Sequence, residues 1–294
     1  MARSRIYLPK LPSPPATIVD YLVQRFPHVP GSAWRDRMTR GMVTTGAGEP
    51  LRTDSPYCHG LMVFYVREVP FEPECEREEI ILYQDEEILV ADKPHGMPVT
   101  PSGRHVTRAL LNRLERRTGI DSLAPLHRLD RDTSGLVLFG IKPESRAHYH
   151  RLFASGTIER EYVAVAKITD VPSTRHWLVQ NRLEPGEPWF LQKVVEQGVA
   201  NARTSIDLVD TCSGLGLFRL TPHTGRKHQL RVHMNSLGFP ILGDRLYPEV
   251  LETAPSAPPL QLCASRLAFT DPLTGFKREF VSTNQLLHAW QPSL

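Results

Sequence analysis

The sequence predicts an α+β fold: a mixed, mainly antiparallel sheet, preceded by a small N-terminal α/β module. Three observations carry this reading. Strand-like segments outnumber helix-like ones, they do not alternate strictly with helices as a doubly wound sheet would require, and the chain closes on a hairpin, ASRLAFTD and KREFV about the turn PLTG. At 294 residues the chain has room for one large domain and one small one.

The elements follow in order. Residues 16–26, ATIVDYLVQRF, place Ile18, Val19, Leu22, Val23 and Phe26 at helical spacing, with Thr17 in position to cap. WRDRMTRG reads as a second, basic helix stopped by Gly41, and MVTTGAGEPLRTDSP and GLMVFYVREV read as short strands joined by turns. Residues 14–69 therefore form a compact module. Residues 70–79 carry Pro70, Pro73 and five glutamates, and read as an acidic linker. Residues 80–294 form the larger domain. It opens with the strands IILYQ and EILVADKP, followed by a helix over 106–117 that has Val106, Leu110, Leu111 and Leu114 on one face and ends at Gly119. After the strand LVLFGI, Pro143 suits the first turn of a helix running to Phe153, with Gly156 past its end. EYVAVAKI, TSIDLV and GLFRLTP continue the sheet, and GRKHQLRVHMNSLG turns helical toward its end.

Composition is that of an ordinary globular chain, 40% hydrophobic and 23% charged. No apolar run approaches the roughly 18 residues that span a bilayer. The start, MARSRIYLPKLPSPP, is basic but lacks the apolar stretch of a signal peptide. The four cysteines are dispersed without a C-x-x-C pair, which argues against a zinc finger or disulfide framework and suits a reducing compartment. A cytoplasmic monomer is the expectation. The net charge of +3 is unevenly spread: residues 1 to 70 hold nine Lys or Arg against five Asp or Glu, a net +4 that leaves −1 for the rest. Contact with a polyanion is expected to begin from the N-terminal part and from local patches elsewhere.

Four segments combine polar residues with turn signals next to predicted strand or helix ends: DKPHGMPVTPSG, HRLDRDTSG, EREYVAVA and TPHTGRKHQLRVHM. A carboxylate, Asp130, flanked by arginines and joined by a second basic segment with Arg226, Lys227 and Arg231, suits a nucleophile or base working on an anionic polymer. Alone, HRLD reads as a solvated turn and HTGRKHQ as a basic helix start; together with the other segments they read as a site. A kinase catalytic loop is excluded because the motif there is H-R-D, and the chain has neither a Gly-rich phosphate loop nor D-F-G. His148 and His150 form an H-x-H without a third ligand at usual spacing, so no metal site is expected.

HRLD-x-x-TSG, preceded by DKP-x-G-x-P and followed by TGR-x-HQ-x-R-x-H and PILGD-x-x-Y, resembles the RluA family of pseudouridine synthases over nearly all of residues 80–283. Residues 16–69 resemble the small alpha-L RNA-binding module that precedes the catalytic domain in some members. The resemblance implies the pseudouridine synthase fold and an isomerase that turns uridine into pseudouridine in ribosomal or transfer RNA without a cofactor. It makes Asp130 the catalytic aspartate, Arg231 its partner and Tyr162 the tyrosine that lies against the target base. Arg128 becomes the residue that helps fill the space left by the flipped base. His127, Thr133, Arg226, Lys227, His228 and Gln229 are expected to face RNA. The chain departs from the family pattern at Cys263, where a histidine often precedes the alanine, and at Pro248, where a glycine is usual. The rival reading is a non-catalytic RNA-binding or ribosome-assembly factor with the same fold. The presence of both Asp130 and Arg231 speaks against it, since a retired site has no physical need for that pair.

Overall fold

The computed structural model describes residues 3–286 apart from 28, 67, 69–71, 73, 74, 76, 104, 253–257 and 285. The chain divides into two compact units, Met1–Pro73 with Gly103–Thr107, and Glu74–Ser102 with Arg108–Leu294.

In the first unit the elements are β1 (Arg3–Tyr7), α1 (Ile18–Arg25), α2 (Gly31–Thr39), β2 (Val43–Thr45) and β3 (Met62–Val66). Thr17 caps α1 by accepting the Asp20 amide at 3.2 Å, and Gly41 stops the chain after α2 with φ +69°. The apolar face of α1, with Ile18, Val19 and Leu22, is buried together with Trp34, Met38, Val43 and Val63, and Trp34 meets Tyr65 edge-on at 5.0 Å. One expectation needs correction. RSRIY is a strand: it pairs antiparallel with β3 along its length, so the sheet has three strands in the order β1–β3–β2 and begins upstream of residue 14. Its short apolar content, set in a basic and proline-rich start, hid it. The basic helix also keeps part of its charge at home, because Arg40 pairs with Asp36 and Glu68.

Several residues of the stretch 70–79, read as a linker, lie outside those described, but two glutamates there are structural. Glu72 accepts the amides of Val106 and Thr107 at 2.7 and 2.9 Å. Glu79 is buried and takes Arg113 Nε at 2.5 Å.

The second unit comprises β4 (Ile80–Gln84), β5 (Ile88–Lys93), α3 (Leu110–Thr118), β6 (Ala124–Pro125), β7 (Ser134–Gly140), α4 (Arg146–Ser155) and β8 (Glu159–Lys167). It continues through β9 (His176–Pro185), β10 (Gln192–Val195), β11 (Ala202–Cys212), β12 (Leu215–Pro222), α5 (Gln229–Ser236), β13 (Leu262–Thr270) and β14 (Lys277–Val281). Eleven strands form one sheet in the order β10–β9–β11–β12–β8–β13–β7–β5–β4, with β14 beside β13 and β6 beside β7. All pairs are antiparallel except β13 with β7, so the sheet is mixed and mainly antiparallel, as the sequence predicts.

β5 and β7 read as continuous apolar runs because both faces of the sheet are covered there. Leu89, Ala91, Val137 and Phe139 join Leu110 and Leu114 of α3, while Ile88, Val90, Leu136 and Leu138 join Tyr149 of α4. The parallel pairing brings the start of β7 against the start of β13, Ser134 opposite Cys263 and Gly135 opposite Ala264. Gly135 has φ +108°, and a Cβ there would stand 2.3 Å from the Ala264 carbonyl oxygen; only glycine allows the two backbones to approach so closely.

Two boundaries and two strands differ from the reading. α3 begins at Leu110 rather than 106: the amides of Val106 and Thr107 go to Glu72, and those of Leu110 and Leu111 to the carbonyls of Pro98 and Val99. α4 begins at Arg146, after a turn in which Ser145 bonds back to Lys142. β9 and β10 were not anticipated; HWLVQNRLEP alternates half-buried and exposed positions with Gln, Asn and Arg among them, too polar to announce a strand.

Candidate active site

Residues 126–133 run from β6 into β7 as a loop whose backbone is held from several sides. Leu126 donates its amide to Leu138, and the Leu138 amide returns a bond to His127 Nε2 at 3.0 Å. The His127 ring lies 4.9 Å from Phe153, and burial pushes it down to about 3, so it is neutral. The DKPHG segment at the end of β5 grips the far side of the loop. Lys93 is fully buried, and its Nζ donates to the carbonyls of Pro94 (3.0 Å), Met97 (2.8 Å) and Arg131 (3.0 Å). Burial pushes Lys93 down to about 7, yet three carbonyl acceptors match the three hydrogens of an ammonium, which favours the charged form. His95 Nδ1 bonds to the Asp132 carbonyl at 2.8 Å. This is the physical tie between DKP-x-G and HRLD: the first motif fixes two carbonyls of the second.

The loop presents Asp130 to a cleft of about 730 Å³, whose walls include Arg128, Tyr162, Arg226, Lys227, His228 and Arg231. Arg231, on the first turn of α5, reaches Asp130 Oδ2 with one guanidinium nitrogen at 3.4 Å. Its two-pronged bond goes elsewhere. Nε and the second nitrogen meet Asp244 at 2.8 and 2.6 Å, and Asp244 also accepts the amides of Leu246 and Tyr247. Burial opposes the Arg231 charge, but the Asp244 carboxylate outweighs it and raises the guanidinium above its ordinary value. The expectation of an Arg231–Asp130 pair is thus refined. Asp244 orients Arg231 by a fork-to-fork bond, leaving one donor to aim at Asp130. The turn before Asp244 depends on Gly243, where φ is +76° and a Cβ would stand 2.3 Å from the Pro259 carbonyl oxygen.

His228 is the second group beside Asp130, its Nε2 3.9 Å from Oδ2. Tyr247 accepts the Gln192 amide at its hydroxyl, so the hydroxyl proton is directed to His228 Nδ1 at 2.8 Å. This network assigns the Nε2–H tautomer, a donor pointing toward Asp130, and burial lowers the imidazole below its ordinary value. Tyr162, on β8 between Leu220 and Ala264, is buried, and burial pushes its hydroxyl up to about 12. At neutral pH it keeps its proton.

The residues expected to face RNA separate into two sets. Arg128, Arg226 and Lys227 are exposed on the cleft, Arg226 steadied by a bond from Nε to the Asn201 carbonyl at 3.1 Å. His127, Thr133 and Gln229 also line the cleft, but spend polar groups inside the protein. His127 spends its ring nitrogen on the backbone. Thr133 is buried and donates its amide to Asp130. Gln229 has four bonds inside the protein, accepting from Thr224 and Arg226 and donating to Arg203 and Thr204. These three build the loops that carry the site. Lys93 and Asp244 went unassigned in the sequence, although both stand inside quoted motifs, DKP-x-G-x-P and PILGD-x-x-Y. A lysine or aspartate wedged between glycines and prolines was the available signal.

Comparison with known proteins agrees with this geometry. The RNA pseudouridylate synthase family model matches residues 87–236. An uncharacterised RNA pseudouridine synthase of Synechocystis is 30% identical over 232 residues, 78% of this chain and 79% of that protein. The dual-specificity RNA pseudouridine synthase RluA of Salmonella typhimurium is 36% identical over 208 residues, covering 68% and 91%. The tRNA pseudouridine synthase C of Pasteurella multocida is 33% identical, covering 66% and 86%. Among solved structures, human RNA pseudouridylate synthase domain containing 1 shares the fold, with a TM-score of 0.59 and 20% identity over 73% of this chain and 86% of that one. The ordered motifs, the mixed sheet and these likenesses lead to one conclusion: the chain belongs to the RluA family of RNA pseudouridine synthases, isomerases acting on RNA uridines.

Proposed function

We propose that this enzyme isomerises a uridine of transfer or ribosomal RNA, with Asp130 as the carboxylate that acts on the sugar. One observation carries the assignment. Asp130 sits at the cleft with Oδ2 aimed by Arg231, while Oδ1 meets no protein donor among the described residues and stays open to a substrate. In the reaction the bond from the ribose carbon to the uracil nitrogen breaks, the base turns over, and a ring carbon joins the sugar instead. The proton leaving that carbon balances the one gained by the nitrogen, so no cofactor, water or redox partner is consumed. Tyr162 lies against the base and keeps its hydroxyl proton as a donor. Extruding the base costs a few kcal/mol, and Arg128 in the gap, with Arg226 and Lys227 on phosphates, offsets it.

Residues 14–69 fit an RNA-binding accessory role of the alpha-L type, supported by the +4 balance of residues 1–70, to which Arg3, Arg5 and Lys10 contribute. The dispersed free cysteines support a cytoplasmic setting, and a monomer is the simplest working form. The names of the relatives, a dual-specificity RNA synthase and a tRNA synthase, support transfer RNA and ribosomal RNA as the substrates to try first. Purified protein incubated with each transcript should yield the carbon-linked nucleoside in at least one. Absence of product from both, with RNA bound, would overturn the proposal in favour of a non-catalytic RNA-binding factor.

A further inference from the structure

The hairpin between β9 and β10 ends in two consecutive aromatics, Trp189 and Phe190, with rings 5.9 Å apart and nearly perpendicular. Trp189 is 81% exposed. A single exposed hydrophobic side chain ordinarily needs no explanation, and Val199 on the same unit is equally bare. Trp189 differs in what surrounds it. Lys227 Nζ lies 5.7 Å from its ring centroid, and Lys227 lines the cleft next to His228, whose Nε2 faces Asp130 at 3.9 Å.

The hairpin is also mounted rigidly on the active site. Its tip is closed by Gly186 N to Leu191 O and Leu191 N to Pro188 O. Its base is packed through Leu183 and Leu191 onto Val232 and Tyr247. The Gln192 amide bonds to the same Tyr247 hydroxyl that orients His228. An exposed tryptophan is thus held by its backbone next to Lys227, a cation of the cleft wall. That is the composition of a single-strand stacking platform, an aromatic face for a base and a positive charge for its phosphate.

We propose that Trp189 is a nucleobase platform: it stacks on an unpaired nucleotide adjacent to the target uridine while Lys227 meets the neighbouring phosphate. The inference rests on the reading of this cleft as an RNA-modifying site, and it concerns how the substrate is held, not the chemistry. The ring is separated from Asp130 by the Lys227–His228 segment, so the base it takes is a flanking one. Stacking is tolerant of base identity, so Trp189 selects for an unpaired flank rather than for a sequence.

The test uses full-length protein and a fluorescent stem–loop RNA that the wild type modifies. Trp189→Ala should raise Kd and KM by roughly five- to a hundredfold, the range expected for one lost base stack, with the loss carried by KM. Trp189→Phe should recover most of it. Intrinsic fluorescence in a Trp290→Phe background supplies a second readout: of the other tryptophans Trp34 is buried and Trp177 half-buried, so quenching of emission by RNA should largely vanish when Trp189→Phe is added. Melting temperature should not move for either variant. Unchanged Kd and KM in Trp189→Ala, or undiminished quenching in Trp189→Phe, would overturn the platform while leaving the enzyme's function intact. No product from the wild type on any RNA would instead overturn the functional reading itself.

Discussion

The floor and the rim of the cleft use charge in opposite ways. On the floor and in the layer beneath it, Arg231, Lys93, Asp244 and His233 are all at most 8% exposed, and each is tied to several protein partners. On the rim, Arg128, Arg226 and Lys227 are exposed, and Arg128 has no carboxylate partner among the described residues. Buried charges with satisfied bonds fix geometry, and removing one partner leaves the other stranded. Exposed cations fix nothing in the protein but release counterions when they meet phosphate. The floor should therefore govern turnover and stability, and the rim should govern affinity and its salt dependence.

Among the residues that support Asp130, the largest effect is expected at Asp244. Asp244→Asn leaves Arg231 buried without its two-pronged partner, a loss of roughly 3–5 kcal/mol by analogy with broken buried pairs. Single-turnover rate should fall about a hundredfold or more as Arg231 loses its aim on Asp130. Chemical denaturation and rate measured on one preparation check both, and a near-normal rate would place Arg231 outside the working geometry. Next comes Lys93→Met, which strands the carbonyls of Pro94, Met97 and Arg131. Stability should drop by roughly 2–4 kcal/mol and the rate by at least tenfold, with RNA affinity little changed.

How much of this contrast was legible in the sequence follows from where the information lies. The order HRLD, REYVAV, GRKHQLRVH is enough to gather Asp130, Tyr162 and Arg231, and the apolar runs around 88–91 and 136–141 announce central strands. The division between floor and rim was not legible. His127, Gln229 and Arg226 look alike as polar residues in loops, and only tertiary hydrogen bonds decide that the first two face inward. Asp244 was hidden because its partner is 13 residues away across an irregular turn. β1 and β9 were missed for a related reason: each is half-solvated and takes its stability from a neighbouring strand rather than from its own pattern.

A smaller effect separates floor histidines from rim charges by pH. His233 is buried with both nitrogens bonded, to Thr204 and Asn181, and burial lowers it to about 4 from 6.5. Between those values the unfolded chain takes up a proton that the native state refuses. Stability from this group is thus fully present above pH 6.5 and lost as pH falls toward 4, by roughly 2–3 kcal/mol at the bottom of the window. His233→Gln should be less stable than wild type at pH 7, with the gap closing by pH 4.5; a gap independent of pH would refute the linkage. The smallest effect belongs to the rim. Arg226→Gln and Lys227→Gln should each weaken RNA binding a few-fold and flatten the salt slope by about 0.7 per lost contact to a single strand. Slopes matching wild type would move these residues off the RNA path.

The claim that Asp130 performs the chemistry while the rim holds the RNA is tested most directly by Asp130→Asn. The substitution keeps the shape of the side chain and removes its charge. Single-turnover product formation and RNA affinity across a salt series are to be measured on the same sample. The account predicts no detectable carbon-linked nucleoside, with Kd within a few-fold of wild type and an unaltered salt slope. Substantial product from the Asn variant would contradict it.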